Sequence, residues 1–447
     1  MEKLFKDLVI IGAGPGGYEL AYKAKDAGLD VALFEKNDLG GTCLNRGCIP
    51  TKAYFQYAKV KEQAHKLFNQ DVNVNFNEIY AHKNNTVSLL KQGVNALLSK
   101  VCIINEEAKL AKVNEKVVVE SENYEIDAKF IVIATGSSDA SINIEGIEHA
   151  INSSKLLDLD YLPKSIGIIG GGVIGMEIAS IYNALGVKVS VYEYFPSILP
   201  RFDKDTTRRL TNLLKAKGVN INTSASVNKI EKVDEGYLLV AKANEKEISD
   251  TFDIVLCATG RCPNVNNLGL DEAGIDYSAK GIVVNNHQQT NIPNVYAIGD
   301  VTGGIMLAHK ASFDANVVLG HILGKDYYVN YDLIPACCFT LPEVASIGLS
   351  EEELREKGIE YKAVKELYRA NGKAQAIKET DGLVKLIISD DLIVGASIIG
   401  EEANLLIHEV AVLMNAKVKV SEAKTYIHAH PTLSEIIQSA LNAYKLN

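Results

Sequence analysis

Leu8-Val9-Ile10-Ile11 is an unbroken apolar run that stops on Gly12-Ala13-Gly14-Pro15-Gly16-Gly17. A short run of this kind, closed by glycines, predicts a strand covered on both faces and then a tight turn. Ile166-Gly167-Ile168-Ile169 repeats the pattern and stops on Gly170-Gly171-Gly172-Val173-Ile174-Gly175. A shift of 158 positions superposes the two segments without a gap. Gly12, Gly14 and Gly17 then fall on Gly170, Gly172 and Gly175, Glu19 on Glu177, Gly28 on Gly186, Val31 on Val189 and Glu35 on Glu193. Each copy reads strand, glycine turn, helix, strand, acid. The glycines allow a tight turn and close approach of backbone N–H groups to a pyrophosphate, which sits at the positive end of the helix. The acid at the end of the second strand accepts from a ribose hydroxyl. One such glycine pattern is weak evidence; two, each with its acid 23 residues after the first glycine, point to two dinucleotide sites.

Further apolar runs organise the rest. Segments 131–136 and 254–260 each predict a buried strand ending in Ala-Thr-Gly, and 294–300 predicts a third strand with Asp300 just past its end. The second dinucleotide unit therefore reads as inserted into the first. The expected domains are 1–149, 150–259, 260–332 (completing the first) and 333–447. From about 333 the runs shorten and alternate (384–388, 393–399), and an amphipathic helix follows over 404–414, the texture of an antiparallel α+β domain. The fold class is α/β, with two Rossmann-like domains and a C-terminal α+β domain.

The chain has 447 residues and a formal net charge of −10, which disfavours a nucleic-acid role. Its first apolar run is too short for a signal sequence or a membrane span. A cytoplasmic protein without a membrane segment is expected. The seven cysteines are odd in number and scattered, so they form no secreted disulfide framework, and none has zinc-site spacing.

Cys43 and Cys48 lie in Gly40-Gly41-Thr42-Cys43-Leu44-Asn45-Arg46-Gly47-Cys48-Ile49-Pro50-Thr51-Lys52. In a regular helix residues five apart are separated by about 7.5 Å of rise, beyond the roughly 4.4–6.8 Å that bridged Cα atoms span. The chain is expected to bend here, through positive φ at Gly47 and the restriction Pro50 places on Ile49. A bent dithiol loop in such a chain points to redox chemistry. Cys257 and Cys262 share the spacing but lie at a strand end and on a loop. They read as structural thiols, as do Cys337 and Cys338.

The order of these features, with a C-terminal His428-Ala429-His430-Pro431-Thr432-Leu433-Ser434-Glu435, resembles the flavoprotein disulfide reductases along essentially the whole chain. Within them the cysteine and histidine segments look most like the dihydrolipoamide dehydrogenases. That resemblance implies FAD on the first unit, NAD on the second, and a homodimer built through the C-terminal domain. The partner would be a lipoyl-domain protein of a 2-oxo acid dehydrogenase or glycine cleavage system. Cys43 would face the substrate and Cys48 the flavin. His430 would serve the other subunit's disulfide as base, oriented by Glu435, and Lys52 would pair with Glu177 near the flavin. His428 reads as structural.

Cofactor contacts implied by the resemblance are Gly12, Gly14, Gly17, Glu35, Thr42, Lys52, Ala108, Thr135, Gly136, Asp300, Met306, Leu307 and Ala308 for FAD. For the nicotinamide they are Gly170, Gly172, Ile174, Gly175, Glu193, Val227, Gly260 and Arg261. A carboxylate at Glu193 repels a 2′-phosphate and favours NAD over NADP. Two departures from the pattern stand out: the turn between Leu98 and Val101 is short, and Glu106 stands where a glycine is usual. No lipoyl domain is expected ahead of the first unit. The tail 443–447 lacks the cysteine pair of mercuric reductases.

Overall fold

The computed structural model describes residues 1–325 and 327–445; Leu446 and Asn447 of the tail lie outside the described residues. The chain forms two units. The first comprises 1–53, 80–140 and 260–329; the second comprises 54–79, 141–259 and 330–447.

In the first unit β1 (Glu2–Ile11) is central, with β2 (Val31–Phe34) parallel on one side and strand Tyr124–Ile133 parallel on the other. Cys102–Ile104 extends the sheet beyond β2, and Val295–Ala297 pairs with Ile131–Ile133. That last pairing returns the chain to its first sheet after the second dinucleotide unit, so the insertion read from the sequence is the observed topology. An antiparallel hairpin, Lys109–Val113 and Lys116–Glu120, closes the other edge. Side chains along a strand point alternately to opposite faces. Val9, Ile11, Ala32 and Phe34 enter one core, and Leu8, Ile10, Val31 and Leu33 enter another. Two covered faces explain why the strands are apolar at every position.

The second unit repeats the design with a four-stranded parallel sheet, ordered Asn220–Asn222, Lys188–Tyr192, Ser165–Ile169 and Ile254–Cys257. A three-stranded meander over 225–252 stands in the chain between Asn220–Asn222 and Ile254–Cys257. The C-terminal part is a five-stranded antiparallel sheet, ordered Ala336–Cys338, Glu343–Gly348, Leu392–Gly400, Leu383–Ser389 and Lys362–Leu367, with helices Ala403–Asn415 and Glu435–Ala443. Segment 54–79 belongs to this unit rather than to the first because Tyr54, Phe55, Ala58 and Ile79 are buried in its core beside Ile178 and Tyr182. Lys59 adds an ion pair to Glu401 at 2.7 Å.

Candidate active site

The two glycine turns share their geometry. Gly12 and Gly170 take φ of 103° and 106°, and a Cβ on either would lie 2.4 Å from a carbonyl oxygen of the neighbouring strand end, Ala134 or Ala258. Only glycine fits there. Gly14 caps α1 (Pro15–Asp26) and Gly172 caps the helix Val173–Leu185, neither with a side-chain hydrogen bond. A Cβ on Gly14 or Gly172 would meet nothing within 4 Å. Both helices therefore present open first-turn N–H groups, the arrangement that receives a phosphate. Glu35 accepts from the N–H of Ala13 at 2.8 Å and of Asn37 at 2.8 Å; Glu193 accepts from Gly171 at 2.5 Å and Phe195 at 2.7 Å. Each acid is thus locked to its own turn, at the end of the second strand. The residues fit a dinucleotide at each turn.

The dithiol loop packs on the first turn. The Gly40 N–H donates to the Ala13 carbonyl at 2.9 Å, and a Cβ on Gly41 would lie 2.7 Å from the Gly14 Cα. α2 (Gly41–Arg46) carries Cys43, the chain breaks at Gly47, and α3 (Cys48–Phe68) begins on Cys48. The bend is present, by a different route from the one expected. Gly47 takes φ −138° and ψ −107°, not positive φ. A Cβ there would lie 3.1 Å from the Thr42 carbonyl oxygen. Pro50 does not bend Ile49; it sits in the first turn of α3, where a missing N–H costs nothing.

Cys43 and Cys48 stand as the dithiol. The Cys43 thiol is pushed far up by its hydrogen bond with Cys48 and by burial, while the charge of Lys52 acts the other way. Cys48 occupies the positive end of a 21-residue helix. Arg46, in the loop between the two cysteines, reaches Asp38 at 3.4 Å.

A network not foreseen in the sequence holds the Asp300 turn. Ser137 donates to the Asp300 carboxylate, and Arg261 donates from Nε to Ser137 Oγ at 2.7 Å and from Nη1 to Asp139 at 3.0 Å. Arg261, read as a nicotinamide contact, thus has its guanidinium on the strand pair Ser137–Asp139 and Arg261–Pro263. Asp314, fully buried, accepts from the Gly299 N–H at 2.9 Å and Lys310 at 2.7 Å. Thr135 and Asn264 exchange hydrogen bonds at 3.0 and 2.8 Å, and Gly136 accepts from the Asn264 N–H. Met306 and Leu307 lead half-buried into the helix Ala308–Ile322. The signals were Ser137 directly after Gly136 and the i,i+4 pair Lys310–Asp314.

Ala108 and Val227 are buried in apolar clusters, so what they offer a ligand is backbone. Thr42 is exposed, while Ile174 is half-buried in the first turn of its helix. Gly260 accepts from the Ala140 N–H at 2.9 Å. Glu106, standing in place of a glycine, binds Asn123 through both its oxygens. Lys52 belongs to the first unit and Glu177 to the second. Glu177 is buried and accepts the Phe339 N–H at 2.9 Å.

His430 and Glu435 meet in the second unit, Nδ1 to Oε1 at 3.0 Å, while the other Glu435 oxygen accepts the Thr432 N–H at 2.8 Å. Glu435 is the first residue of its helix. The Thr432 N–H, then the His430 ring, hold its carboxyl below the usual glutamate range. His430 is 79% exposed, so its second nitrogen faces outward. A carboxylate-oriented imidazole of this kind can take a proton from a thiol.

The chain belongs to the pyridine nucleotide-disulphide oxidoreductases. The family model matches residues 6–315, and the model of that family's dimerisation domain matches 334–441. It is an oxidoreductase of a family that uses FAD and a nicotinamide dinucleotide. It is 37% identical to dihydrolipoyl dehydrogenase of Staphylococcus aureus, over 97% of this chain and 95% of that one. It is 36% identical to a dihydrolipoyl dehydrogenase of Bacillus subtilis over 97% of each, and 36% identical to leghemoglobin reductase of Glycine max, over 98% of this chain and 87% of that one. Among solved structures it is similar to the HOCl-induced flavoprotein disulfide reductase RclA of Escherichia coli, at 29% identity and a TM-score of 0.88, over 98% of this chain and 100% of that one. Among the described residues no helix is long and apolar enough to cross a membrane.

Proposed function

We propose that the chain is a cytoplasmic dihydrolipoamide dehydrogenase, oxidising a lipoyl dithiol carried on a partner protein and reducing NAD⁺. The observation that carries the reading is the pair of devices a dithiol oxidation requires: a dithiol at a helix start and a histidine oriented by a carboxylate. The dihydrolipoyl thiols become the cyclic disulfide as the Cys43–Cys48 disulfide is reduced, with Cys43 forming the mixed disulfide. His430 takes the proton released by the attacking thiol. Gly12, Gly14, Gly17 and Glu35 would hold FAD, whose chemistry is a two-electron relay between the dithiol and the nicotinamide. Gly170, Gly172, Gly175 and Glu193 would hold NAD. In sum, dihydrolipoamide and NAD⁺ give lipoamide, NADH and a proton.

His430 would serve the dithiol of a second copy in a homodimer. Leu405, Val412 and Ile427 of the C-terminal part are 61, 67 and 97% exposed, an apolar cost that a covering subunit removes. The likeness to RclA favours a second reading, a disulfide reductase with a different thiol or metal substrate.

Steady-state rates with dihydrolipoamide, glutathione disulfide and Cu(II), each with the matching nicotinamide, separate the two. Turnover of dihydrolipoamide with NAD⁺ at least about 100-fold above the others is the expected result, since a site built for one substrate rejects others by that order. His430→Gln should then lose on the order of 10²–10⁴-fold. A chain inert toward dihydrolipoamide loses the first reading.

A further inference from the structure

The loop that carries His430 holds a second histidine–carboxylate pair, which the proposed reaction does not use. His428 is 11% exposed, against 79% for His430. Its Nε2 meets Glu409 Oε1 at 2.7 Å, and its Nδ1 faces the Tyr426 carbonyl at 3.2 Å. Glu409 stands on the helix Ala403–Asn415, which is anchored by buried Leu406, Ile407 and Val410. Its other oxygen accepts the Ser434 hydroxyl. Ser434 is the last residue before the helix that begins on Glu435. A single carboxylate therefore grips both ends of the loop, the histidine where it starts and the serine where it ends. Between the grips Thr432 Oγ1 donates to the Ala429 carbonyl at 2.8 Å, and Asn371 donates to the Thr432 carbonyl at 3.0 Å.

We infer that Glu409 and His428 are positioning residues for His430, a role that rests on the dithiol oxidation proposed above. His430 is 79% exposed on its own chain, so that chain supplies little packing to hold the imidazole. Its aim comes from Glu435 and from the loop between them, and Glu409 fixes that loop to a rigid helix. Misplacing a base by about 1 Å can cost on the order of 100-fold in rate.

The test compares Glu409→Gln, His428→Phe and His428→Gln in the full holoenzyme. Two rates are read: dihydrolipoamide oxidation with NAD⁺, and ferricyanide reduction by NADH, which makes no use of His430. Glu409→Gln and His428→Phe should lower kcat for dihydrolipoamide about tenfold or more, with KM and the ferricyanide rate within about twofold of wild type. His428→Gln, whose amide can replace the Nε2–H, should recover most of the loss. Parallel loss of both activities in all three variants, or unchanged dihydrolipoamide oxidation in Glu409→Gln, overturns the inference. A wild-type chain that does not oxidise dihydrolipoamide refutes the substrate reading instead. The same ratios are then read with dithiothreitol as the dithiol, and absence of the selective loss there still overturns the positioning role.

Discussion

Glu193 shows how much a single carboxylate can decide. It is 5% exposed, and its oxygens are held by the N–H of Gly171 in the glycine turn and of Phe195 two residues on, so it cannot swing away from an incoming ribose. A 2′-phosphate brought beside it would meet an immobile like charge, an arrangement that costs several kcal/mol. NAD should therefore be used with a kcat/KM on the order of 100-fold or more above that for NADP. Glu193→Gln, which keeps the shape and one acceptor, should narrow the gap chiefly by improving NADP. Comparable wild-type constants for the two nicotinamides would remove the argument. The acid was legible in the sequence because its spacing from Gly170 repeats that of Glu35 from Gly12. His430 and Glu435 were legible for a similar reason, lying five apart across a helix start. The Arg261–Ser137–Asp300 network was not, since Ser137 lies 124 positions from Arg261 and 163 from Asp300, and adjacency to Gly136 does not say which residues it binds.

At the scale of elements, strand Leu383–Ser389 illustrates both the reach of pattern reading and its limit. Val384, Leu386 and Ile388 enter the C-terminal core as their alternation predicts. Lys385, between them, is 2% exposed, and no pattern predicts a buried lysine there. It is satisfied by Asp203 at 2.7 Å, Asp205 at 2.9 Å and Glu351, residues remote in sequence. Burial opposes the charge on Lys385, but its hydrogen bonds to Asp203, Glu351 and Asp205 hold its affinity for the proton above the ordinary lysine value of 10.5. Burial likewise pushes Asp205 up, and the hydrogen bonds from Lys365 and Lys385 outweigh it, leaving the carboxyl at about 2 against an ordinary 3.8. Lys385→Met leaves these carboxylates without their central cation and should lower stability by about 3–5 kcal/mol, read from the shift of the urea midpoint. Asp205 binds its proton less tightly folded than unfolded. Its contribution is complete above pH 3.8 and is lost as the pH falls toward about 2. The gap between wild type and variant should close over that window; a gap that widens on acidification contradicts the ion-pair account. The dithiol loop gives the converse lesson: spacing announced a bend, but Gly47 makes it by close approach to Thr42 rather than by positive φ.

For the whole molecule, the proposed function places each active centre across two subunits, and the symmetry of a two-fold dimer turns this into arithmetic. A Cys48→Ser chain retains His430; a His430→Gln chain retains the dithiol. Neither homodimer holds a complete centre. A hybrid of the two holds one complete centre, the dithiol of the second chain with the histidine of the first, and one centre lacking both. Equal mixing with free subunit exchange makes half the dimers hybrid, so about a quarter of wild-type activity should return. Reversible dissociation in mild denaturant, remixing and an NAD⁺-linked assay measure the recovery, with each variant remixed alone as the control. If instead each chain formed its centre from its own dithiol and its own His430, both centres of the hybrid would be broken and mixing would restore nothing. A chain with Glu409→Gln in place of His430→Gln separates the clamp from the base it holds. Its Cys48→Ser hybrid pairs an intact dithiol with an intact clamp, and should recover the same quarter.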